Sequence, residues 1–199
     1  MKILKNEALK QHTSFRVGGP AKVYVVPEDI EELQKLIRFL YEEKLPYDII
    51  GNGTNLLVSD AGVDHVVVEI GRALEGIELL PEANASDETS SLRASSATGS
   101  AVKAAAGSAA ARATSDADAV NATAADEKRY YLRVLAGTLL SKAAQFAATQ
   151  ELAGMEALRG IPGTLGGAVT MNAGAYGTEM KDVLYSVDVL TPEGELQTL

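Results

Sequence analysis

The feature that most constrains this chain is a strand–helix–strand pattern close to its first residue. Residues 22–26 are Lys-Val-Tyr-Val-Val and residues 47–50 are Tyr-Asp-Ile-Ile, two short runs typical of strands. Between them, apolar residues recur at helical spacing: Ile30, Leu33, Ile37 and Leu40, with Leu36 and Tyr41 beside them. Acidic residues open this segment and Pro46 follows it, as expected at the two ends of a helix. The pattern predicts a βαβ unit, whose crossover is nearly always right-handed.

The rest of the patterned sequence predicts an α+β fold. Residues 1–20 are polar and end in the turn signal Gly18-Gly19-Pro20. We expect further strands at residues 63–70, 129–135 and 182–190, and a hairpin turn at 192–194 that leads into a return strand. A helix is expected at residues 138–150. One face of that helix would carry Leu139, Leu140, Ala143, Phe146 and Ala147.

Residues 83–125 break this pattern. Ala, Ser, Thr and Gly dominate the segment, and its large apolar residues are limited to Leu92, Val102 and Val120. Such a composition buries too little surface to offset the entropy of ordering the chain. We expect either a mobile surface insertion or, because Ala favours helices, a short helix around residues 101–113.

Composition excludes several classes of protein. The sequence has no Cys, which rules out disulfides, thiolate metal sites and Cys nucleophiles. Its net charge of −9 and its lack of a basic cluster argue against nucleic-acid binding. No run approaches the roughly 20 apolar residues of a membrane span, and the first residues lack the apolar stretch of a signal peptide. We therefore expect a cytoplasmic protein without membrane contact.

A glycine-rich loop directly follows the second predicted strand. Residues 51–56 are Gly-Asn-Gly-Thr-Asn-Leu. Two glycines permit positive φ and close approach of a ligand, and successive N–H groups in such a turn can bind an anion. The usual dinucleotide motif is excluded, because Leu56 occupies the third glycine position and Leu57-Val58 is expected to continue as a strand. An ordinary glycine-rich turn is the alternative.

Further segments combine glycines with few charges. Residues 159–168 hold four glycines, too many for a regular helix, and they lack the Gly-Lys-Ser/Thr of a phosphate loop. Residues 171–177, Met-Asn-Ala-Gly-Ala-Tyr-Gly, place one Asn and one Tyr among small residues. At residues 135–138 a strand passes into a helix, with Thr138 in the N-cap position. Tight turns explain each segment alone, whereas together they favour one extended ligand, a dinucleotide cofactor bound outside the Rossmann class.

Side-chain sets for conventional catalysis are missing. The two histidines, His12 and His65, have no second His at metal-ligand spacing, and we expect His65 to lie in a loop. There is no Gly-x-Ser-x-Gly nucleophile motif, and the acidic residues are spread over helix faces and turns. We therefore assign no catalytic residue and no metal ligand, and we expect a cofactor to carry the chemistry.

The motifs resemble those of the UDP-N-acetylenolpyruvylglucosamine reductases, also called UDP-N-acetylmuramate dehydrogenases. Residues 12–21, His-Thr-Ser-Phe-Arg-Val-Gly-Gly-Pro-Ala, resemble the opening of this family, and residues 51–57 resemble its pyrophosphate loop. Residues 160–168 and 171–177 resemble its signature for wrapping FAD. The order and approximate spacing of the motifs also agree.

The resemblance implies a fold and a set of cofactor contacts. The implied fold is a two-subdomain FAD-binding module of the vanillyl-alcohol-oxidase-like type, with subdomain 1 at residues 1–71, subdomain 2 at residues 72–199 and the flavin between them. Carried onto this sequence residue by residue, the cofactor-binding positions are Gly51, Asn52, Gly53, Thr54, Asn55, Leu56, Ala136, Gly137, Thr138, Ile161, Pro162, Gly163, Thr164, Gly166, Gly167, Ala168, Asn172, Gly174, Ala175, Tyr176 and Gly177.

The resemblance also implies an activity. Members of the family are oxidoreductases of peptidoglycan synthesis, in which NADPH passes hydride to FAD and reduced FAD passes it to the enolpyruvyl double bond of a UDP-sugar. A serine, an arginine and a glutamate assist, and all three are expected beyond Leu199, in a C-terminal substrate domain that this chain lacks. We therefore expect no turnover from residues 1–199 alone. A flavin-binding module without its own reaction, or an FAD-dependent oxidase of the same superfamily, is the alternative.

Overall fold

The computed structural model describes residues 1–80 and 130–199. Both expectations for the Ala-rich segment, a mobile insertion and a short helix around residues 101–113, lie outside these described residues.

A four-stranded sheet forms the first part of the fold. Its strands are β1 (Lys2–Ala8), β2 (Pro20–Val26), β3 (Tyr47–Ile50) and β4 (Val63–Glu69), in the spatial order β1-β2-β4-β3. β2, β3 and β4 are parallel, and β1 runs antiparallel to β2. The three strands predicted from the apolar runs of this region are therefore confirmed.

Strand β1 is the element that the polar composition of residues 1–20 conceals. It lies at the edge of the sheet with most of its side chains in solvent, and even Ile3 is 59% exposed. An edge strand tolerates Lys and Glu, because water surrounds much of it. The alternation of buried and exposed residues that reveals a half-buried strand is consequently missing here.

Helix α1 (Ile30–Glu42) covers one face of the sheet, as predicted. Asp29 caps it, because its side chain accepts a hydrogen bond from the Glu32 N–H over 2.8 Å. The buried residues on this face are Val25, Leu33, Leu36, Ile37, Leu40, Val68 and Leu74. Each fully buried Leu or Ile contributes about 1.5–3 kcal/mol, so this packing holds α1 on the sheet.

The predicted βαβ unit contains an additional strand. β2 and β3 are parallel, but β4 lies between them and pairs with both. β4 is therefore the strand with parallel neighbours on both sides and with both faces covered. This position explains the continuous run Val66-Val67-Val68, since strands buried on both faces do not alternate apolar and polar residues.

Loops cover the opposite face of the sheet. The residues packed there include Leu9, Tyr24, Ile50, Leu56, Val58 and Val67. The strand expected at Leu57-Val58 is wrong, because these residues belong to the irregular segment that returns from the end of β3 to the start of β4. Val58 is apolar because it packs on the sheet, not because it pairs with a strand.

His65 is also placed differently from the expectation. It lies within β4 and not in a loop. The ladder with β2 already begins at Ala21↔Val63. Pairing with β2 thus outweighs the weak strand tendency of the Asp64-His65 pair.

The second part of the fold is built from residues that follow Gly71. Its elements are β5 (Ile77–Leu79), β6 (Leu132–Val134), α2 (Leu140–Thr149), a 3-10 helix (Glu156–Gly160), α3 (Leu165–Thr170), β7 (Gly174–Ala175), β8 (Thr178–Glu179) and α4 (Met180–Val183). β5 pairs with β6 and β7 pairs with β8, both antiparallel. The elements share a core of Leu132, Val134, Leu140, Ala143, Ala144, Ala147, Met155, Leu158, Leu165, Ala168, Met180 and Val183.

Two predicted elements of this part differ from the expectation. α2 begins at Leu140, so Leu139 precedes it and is 37% exposed, while Ala144 joins the buried face. The strand expected at residues 182–190 is wrong in its first half, because residues 180–183 form α4. A capping box of Glu179 and Asp182 starts this helical turn, and its buried residues lie three apart, which is helical spacing.

A hairpin at the end of the sequence returns to the first part of the fold. β9 (Asp188–Leu190) pairs with β10 (Leu196–Thr198), which confirms the hairpin predicted from the turn at residues 192–194. Arg38 Nε donates to the Glu193 carbonyl over 3.3 Å, and Leu190 packs with the core under α1. The hairpin therefore ties the end of the chain to α1.

In residues 1–80 and 130–199, no helix combines the length and the apolar character needed to cross a membrane.

Candidate functional site

Two of the glycine-rich segments meet in space. A Cβ added to Gly51 would lie 2.3 Å from Thr164 Oγ1, and a Cβ added to Gly163 would lie 2.8 Å from Thr54 Oγ1. Thr54 Oγ1 also donates to the Pro162 carbonyl over 3.4 Å. The 51–56 loop and the 161–164 loop, which sequence reasoning assigned to one ligand, are therefore neighbours in the fold.

The segment of residues 12–14 lies against the 51–56 loop. Ser14 N–H donates to the Gly53 carbonyl over 3.0 Å. Gly53 has a φ of 60°, a left-handed conformation that favours glycine. A Cβ at this position would also lie only 1.9 Å from the His12 carbonyl oxygen. Conformation and close approach therefore both require glycine at position 53.

The junction between β6 and α2 supports the 161–164 loop from behind. Leu140 N–H donates to the Gly163 carbonyl over 3.0 Å, and Gly166 N–H donates to the Ala136 carbonyl over 2.9 Å. A Cβ on Gly166 would stand 2.9 Å from Ala136 Cβ. Ala136 thus fixes the start of α3, and Leu140 holds the loop that precedes it.

Gly137 and Thr138 are committed to the protein interior. A Cβ on Gly137 would stand 2.3 Å from the Gly71 carbonyl oxygen. Thr138 is fully buried, and its hydroxyl donates to the Gly76 carbonyl over 3.1 Å and accepts from the Gly76 N–H over 3.0 Å. The N-cap role predicted for Thr138 is wrong, because Leu139 occupies the N-cap of α2 without a side-chain bond. The hydroxyl is instead used to join two segments.

The expectation that residues 159–168 are too glycine-rich for a helix is wrong in part. α3 contains both Gly166 and Gly167. Thr164 caps the helix by accepting from the Gly167 N–H over 3.4 Å, and Thr170 Oγ1 donates back to the Gly166 carbonyl over 2.8 Å. Close packing on Ala136 requires the small residue, so tertiary contact outweighs the low helix propensity of glycine.

The motif at residues 171–177 leads into the β7–β8 hairpin and supplies its turn. Tyr176 and Gly177 are its turn residues, with φ of 53° and 85°, as a type I′ turn requires. Tyr176 is 95% exposed. Asn172 Nδ2 donates to Glu179 Oε2 over 2.8 Å, and Asn172 Oδ1 accepts from the Lys181 N–H over 3.0 Å. The side chain of Asn172 therefore links the hairpin to α4.

The backbone N–H groups of the 51–56 loop are the main hydrogen-bond donors of the site. Within the described ranges, none of these N–H groups donates to another group of the protein. The loop holds no ionisable side chain, and Asn52 and Asn55 are exposed to solvent. Free N–H groups in a glycine-rich turn can bind an anion. Exposed apolar side chains lie on the adjoining loop segments, at Phe15, Val17 and Leu57. The donor set thus suits a ligand with an anionic centre and apolar rings.

A polar cluster around His12 was not found by sequence reasoning. His12 Nε2 lies 2.9 Å from Glu7 Oε1, and His12 Nδ1 lies 2.9 Å from Tyr24 Oη. The Tyr24 hydroxyl donates to Glu69 Oε2 over 2.5 Å, and the rings of His12 and Tyr24 are 4.3 Å apart. Burial, followed by the hydrogen bond to Glu69, raises the pKa of Tyr24 far above its usual range.

No spacing in the sequence points to this cluster, which we call the His12 cluster. Its members come from β1, the segment after it, β2 and β4, and the sheet pairing brings them together. The one available signal is a tyrosine among the valines of a predicted strand, because a buried Tyr hydroxyl needs a partner.

His65 belongs to a separate pair. Its Nε2 lies 2.7 Å from Asp48 Oδ2, and this hydrogen bond raises the pKa of His65 above its usual value. In the part of the chain that the structure describes, no group of three His, Cys, Asp or Glu side chains could hold a metal ion.

A mixed α/β fold with glycine-rich loops of this kind is typical of proteins that bind a nucleotide cofactor. Comparison with protein families identifies the class. The model of the FAD binding domain matches residues 21–107 and 116–199. The chain therefore belongs to the FAD binding domain family.

Individual relatives narrow the similarity to one kind of enzyme. The chain is 39% identical over 197 residues to the UDP-N-acetylenolpyruvoylglucosamine reductase of Agathobacter rectalis, covering 99% of this chain and 51% of that protein. It is 39% identical over 202 residues to the enzyme of the same name from Caldanaerobacter subterraneus subsp. tengcongensis, covering 100% of this chain and 49% of that protein.

A solved structure shows the same likeness. The crystal structure of UDP-N-acetylenolpyruvylglucosamine reductase from Thermus caldophilus matches with a TM-score of 0.58 and 29% identity, over 100% of this chain and 51% of that chain. These comparisons confirm the resemblance inferred from the motifs. The chain spans about half the length of the relatives it matches.

Proposed function

We propose that this chain is the FAD-binding portion of a UDP-N-acetylenolpyruvoylglucosamine reductase and that the 51–56 loop holds the pyrophosphate of FAD. One observation carries the proposal. The 51–56 loop, whose N–H groups have no acceptor in the described protein, lies against the 161–164 loop from a distant part of the sequence. Two glycine-rich backbones that approach so closely can enclose an extended ligand.

The charge of the chain supports backbone recognition of the pyrophosphate. The protein carries a net charge of −9, and the 51–56 loop contributes no cation. An anion at this place would therefore be bound by N–H dipoles and by the hydroxyl and amide groups of Thr54 and Asn55. The exposed side chains of Phe15, Val17 and Leu57 offer apolar surface for the rings.

The predicted cofactor residues have different tasks in this proposal. Those of the 51–56 and 161–164 loops would contact FAD directly. The contribution of Ala136, Gly137 and Thr138 would be indirect, because these residues hold the 161–164 loop and its neighbours in place. The β7–β8 hairpin would reach the cofactor through backbone groups and Tyr176, since the amide of Asn172 is already bonded at both ends.

We also propose the two-subdomain arrangement of the vanillyl-alcohol-oxidase-like type, divided near residue 71. In support, the β1–β4 sheet and the elements of residues 132–183 have separate cores. The 51–56 loop comes from the first part and the 161–164 loop from the second, so the proposed site lies where the two parts meet. The β9–β10 hairpin would be the piece of subdomain 2 that packs on subdomain 1.

FAD held in this way would supply hydride transfer from NADPH to the enolpyruvyl group of a UDP-sugar. The residues of this chain would bind and orient the cofactor, and we assign no catalytic residue among them. Because the relatives are about twice as long, reductase turnover and UDP-sugar binding are proposed for a longer protein. Its place would be cytoplasmic peptidoglycan synthesis.

Flavin retention tests the proposal. The purified chain is incubated with FAD, desalted and examined by absorbance, with folding followed by circular dichroism. We expect the native chain to retain flavin absorption and Gly53→Ala to lose it, because the new Cβ would meet the His12 carbonyl at 1.9 Å. Gly160→Ala is the matched control, since a Cβ there meets nothing within 4 Å. A folded native chain that neither retains nor saturably binds FAD would overturn the proposal.

A further inference from the structure

We infer that His12 is a positioning residue for the FAD site and that it acts as a doubly protonated imidazolium. The inference rests on the proposed function, because the residue that His12 positions is Gly53 of the 51–56 loop. Protonation of this ring would then set how tightly the chain binds FAD.

The hydrogen bonds of the His12 cluster determine where its protons lie. The single hydroxyl proton of Tyr24 is donated to Glu69 Oε2 over 2.5 Å, a length typical of a bond to an ionised carboxylate. The Tyr24 oxygen must then accept from His12 Nδ1, which lies 2.9 Å away. His12 Nε2 faces Glu7 Oε1 at 2.9 Å, and an ionised carboxylate can only accept. Both ring nitrogens therefore donate.

A neutral ring cannot satisfy this arrangement. In either neutral tautomer, one nitrogen presents a lone pair to an oxygen that also offers only lone pairs. That oxygen belongs to Glu7 in one tautomer and to Tyr24 in the other. The raised pKa of Tyr24 keeps its hydroxyl proton in place, so Tyr24 cannot relieve the conflict by ionising. Loss of the His12 proton would consequently break one contact of the cluster.

The backbone carries this change to the FAD site. The His12 carbonyl oxygen lies against Gly53, where a Cβ would come within 1.9 Å of it. Two residues further on, Ser14 N–H donates to the Gly53 carbonyl over 3.0 Å. The side chain of His12 meanwhile holds Glu7 of β1 and Tyr24 of β2, so the segment between the strands is fixed at this point. A ring that moves would shift the backbone on which Gly53 rests.

Among the residues that the structure describes, the ionisable groups in contact with the ring are those of the cluster. Glu7 faces it from β1, Tyr24 from β2, and Glu69 from β4, with Glu69 Oε2 at 3.6 Å from Nδ1. The 51–56 loop contributes none. A proton on Glu7 or on Glu69 could substitute for that of His12, because either would let a neutral ring satisfy its bonds. Glu7 bonds the ring directly and is therefore the second position to vary.

The main experiment measures the dissociation constant of FAD by flavin fluorescence from about pH 5.5 to about pH 8.5, the range in which histidine titrates. We expect affinity to fall about tenfold as pH rises, which corresponds to one hydrogen bond to a charged group. His12→Gln should bind weakly at all of these pH values and show no such slope. The chain has only two histidines, so His65→Gln, whose pair with Asp48 lies outside the cluster, is the matched control and should retain the native slope.

Glu7→Gln separates positioning from mere packing. A glutamine amide can donate to an unprotonated Nε2, so the neutral tautomer would then satisfy every bond of the cluster. We expect Glu7→Gln to bind FAD as tightly at high pH as at low pH. A purely structural role for His12 predicts that this variant is weakened or unchanged in slope, and either of these results would overturn the inference.

A measurement on the flavin-free chain keeps the two proposals distinguishable. Nitrogen-15 NMR of the His12 ring should show both nitrogens protonated at low pH, and the amide signals of Ser14 and Gly53 should shift with the same midpoint as the ring. Failure to bind FAD, with the His12 ring and Gly53 still titrating together, would sink the proposed function and the effect on FAD affinity, but not the positioning of Gly53 by His12. A neutral His12 ring across the range, or Gly53 signals that ignore its titration, would sink this inference alone.

Discussion

At the scale of single residues, the hydroxyl of Thr138 joins two segments of the fold. Its position just before a helix predicts an N-cap, yet the side chain is fully buried and bonds both backbone groups of Gly76. The bond joins the start of β5 to the start of α2, behind the 161–164 loop. One side chain thus joins two segments that are 62 positions apart in the sequence.

Thr138→Val tests this bond at nearly constant shape. The valine leaves the Gly76 N–H without its partner in a buried place, and we expect the free energy of unfolding to fall by about 1–3 kcal/mol. Denaturant unfolding followed by circular dichroism measures the loss. Thr138→Ser retains the hydroxyl and should recover most of the stability. A Thr138→Val variant as stable as the native chain would show that the bond contributes little.

The sequence predicts the glycine-rich loops of the candidate site better than it predicts the His12 cluster. Glycines at 51, 53 and 163 indicate a backbone that approaches something closely, and the structure confirms close approach at each of them. The pattern cannot say that the 51–56 and 161–164 loops approach each other, because that depends on packing between distant segments. His12 was noted for its motif alone, since its partners are set by strand register and not by spacing.

At the scale of elements, the local sequence predicts helices and strands whose own residues favour them. It misses elements that depend on tertiary contacts. α1 has a cap, an apolar stripe and acidic residues in its first turn, and it lies where the sequence predicts it. α3 contains two glycines and exists because Thr164 caps it and Ala136 packs on it. α4 is a single turn between two strands, short enough for its apolar residues to imitate a strand pattern.

The cap of α1 gives a prediction at this scale. Asp29→Ala removes the acceptor of the Glu32 N–H, and we expect a loss of about 1 kcal/mol in the free energy of unfolding. The helix should remain at its place, because its buried leucines hold it on the sheet. Asp29→Asn can still accept the bond and should stay close to the native chain in thermal unfolding. If both variants behave alike, the charge at the helix start accounts for the effect, not the bond.

At the scale of the whole molecule, the pairing of β5 with β6 joins the two described ranges of the chain. β5 and β6 are antiparallel neighbours, and Leu80 N–H donates to the Tyr131 carbonyl over 2.9 Å. The ends of the intervening segment therefore leave from adjacent points of one hairpin. A short turn is enough to join them, because antiparallel strands need only a few residues between them.

Replacing residues 81–129 by a short hairpin turn tests whether the fold and the proposed site depend on that segment. The contacts that join the 51–56 and 161–164 loops are made by Gly51 and Thr54 on one side and by residues 162–164 on the other. We expect the shortened chain to show cooperative unfolding and the same affinity for FAD as the native chain, measured by flavin fluorescence. A shortened chain that folds but binds FAD much more weakly would show that the segment contributes to the site.

The position of β4 in the middle of the sheet has a consequence for the order in which the protein is made. On the ribosome, β1, β2, α1 and β3 all emerge before β4, yet β3 has no neighbour until β4 arrives, because β4 separates it from β2. A nascent chain that ends before Val63 can pair β1 with β2, but it holds β3 only through α1. The sheet, and with it the end of β3 from which the 51–56 loop departs, is completed only when residues 63–69 have left the exit tunnel.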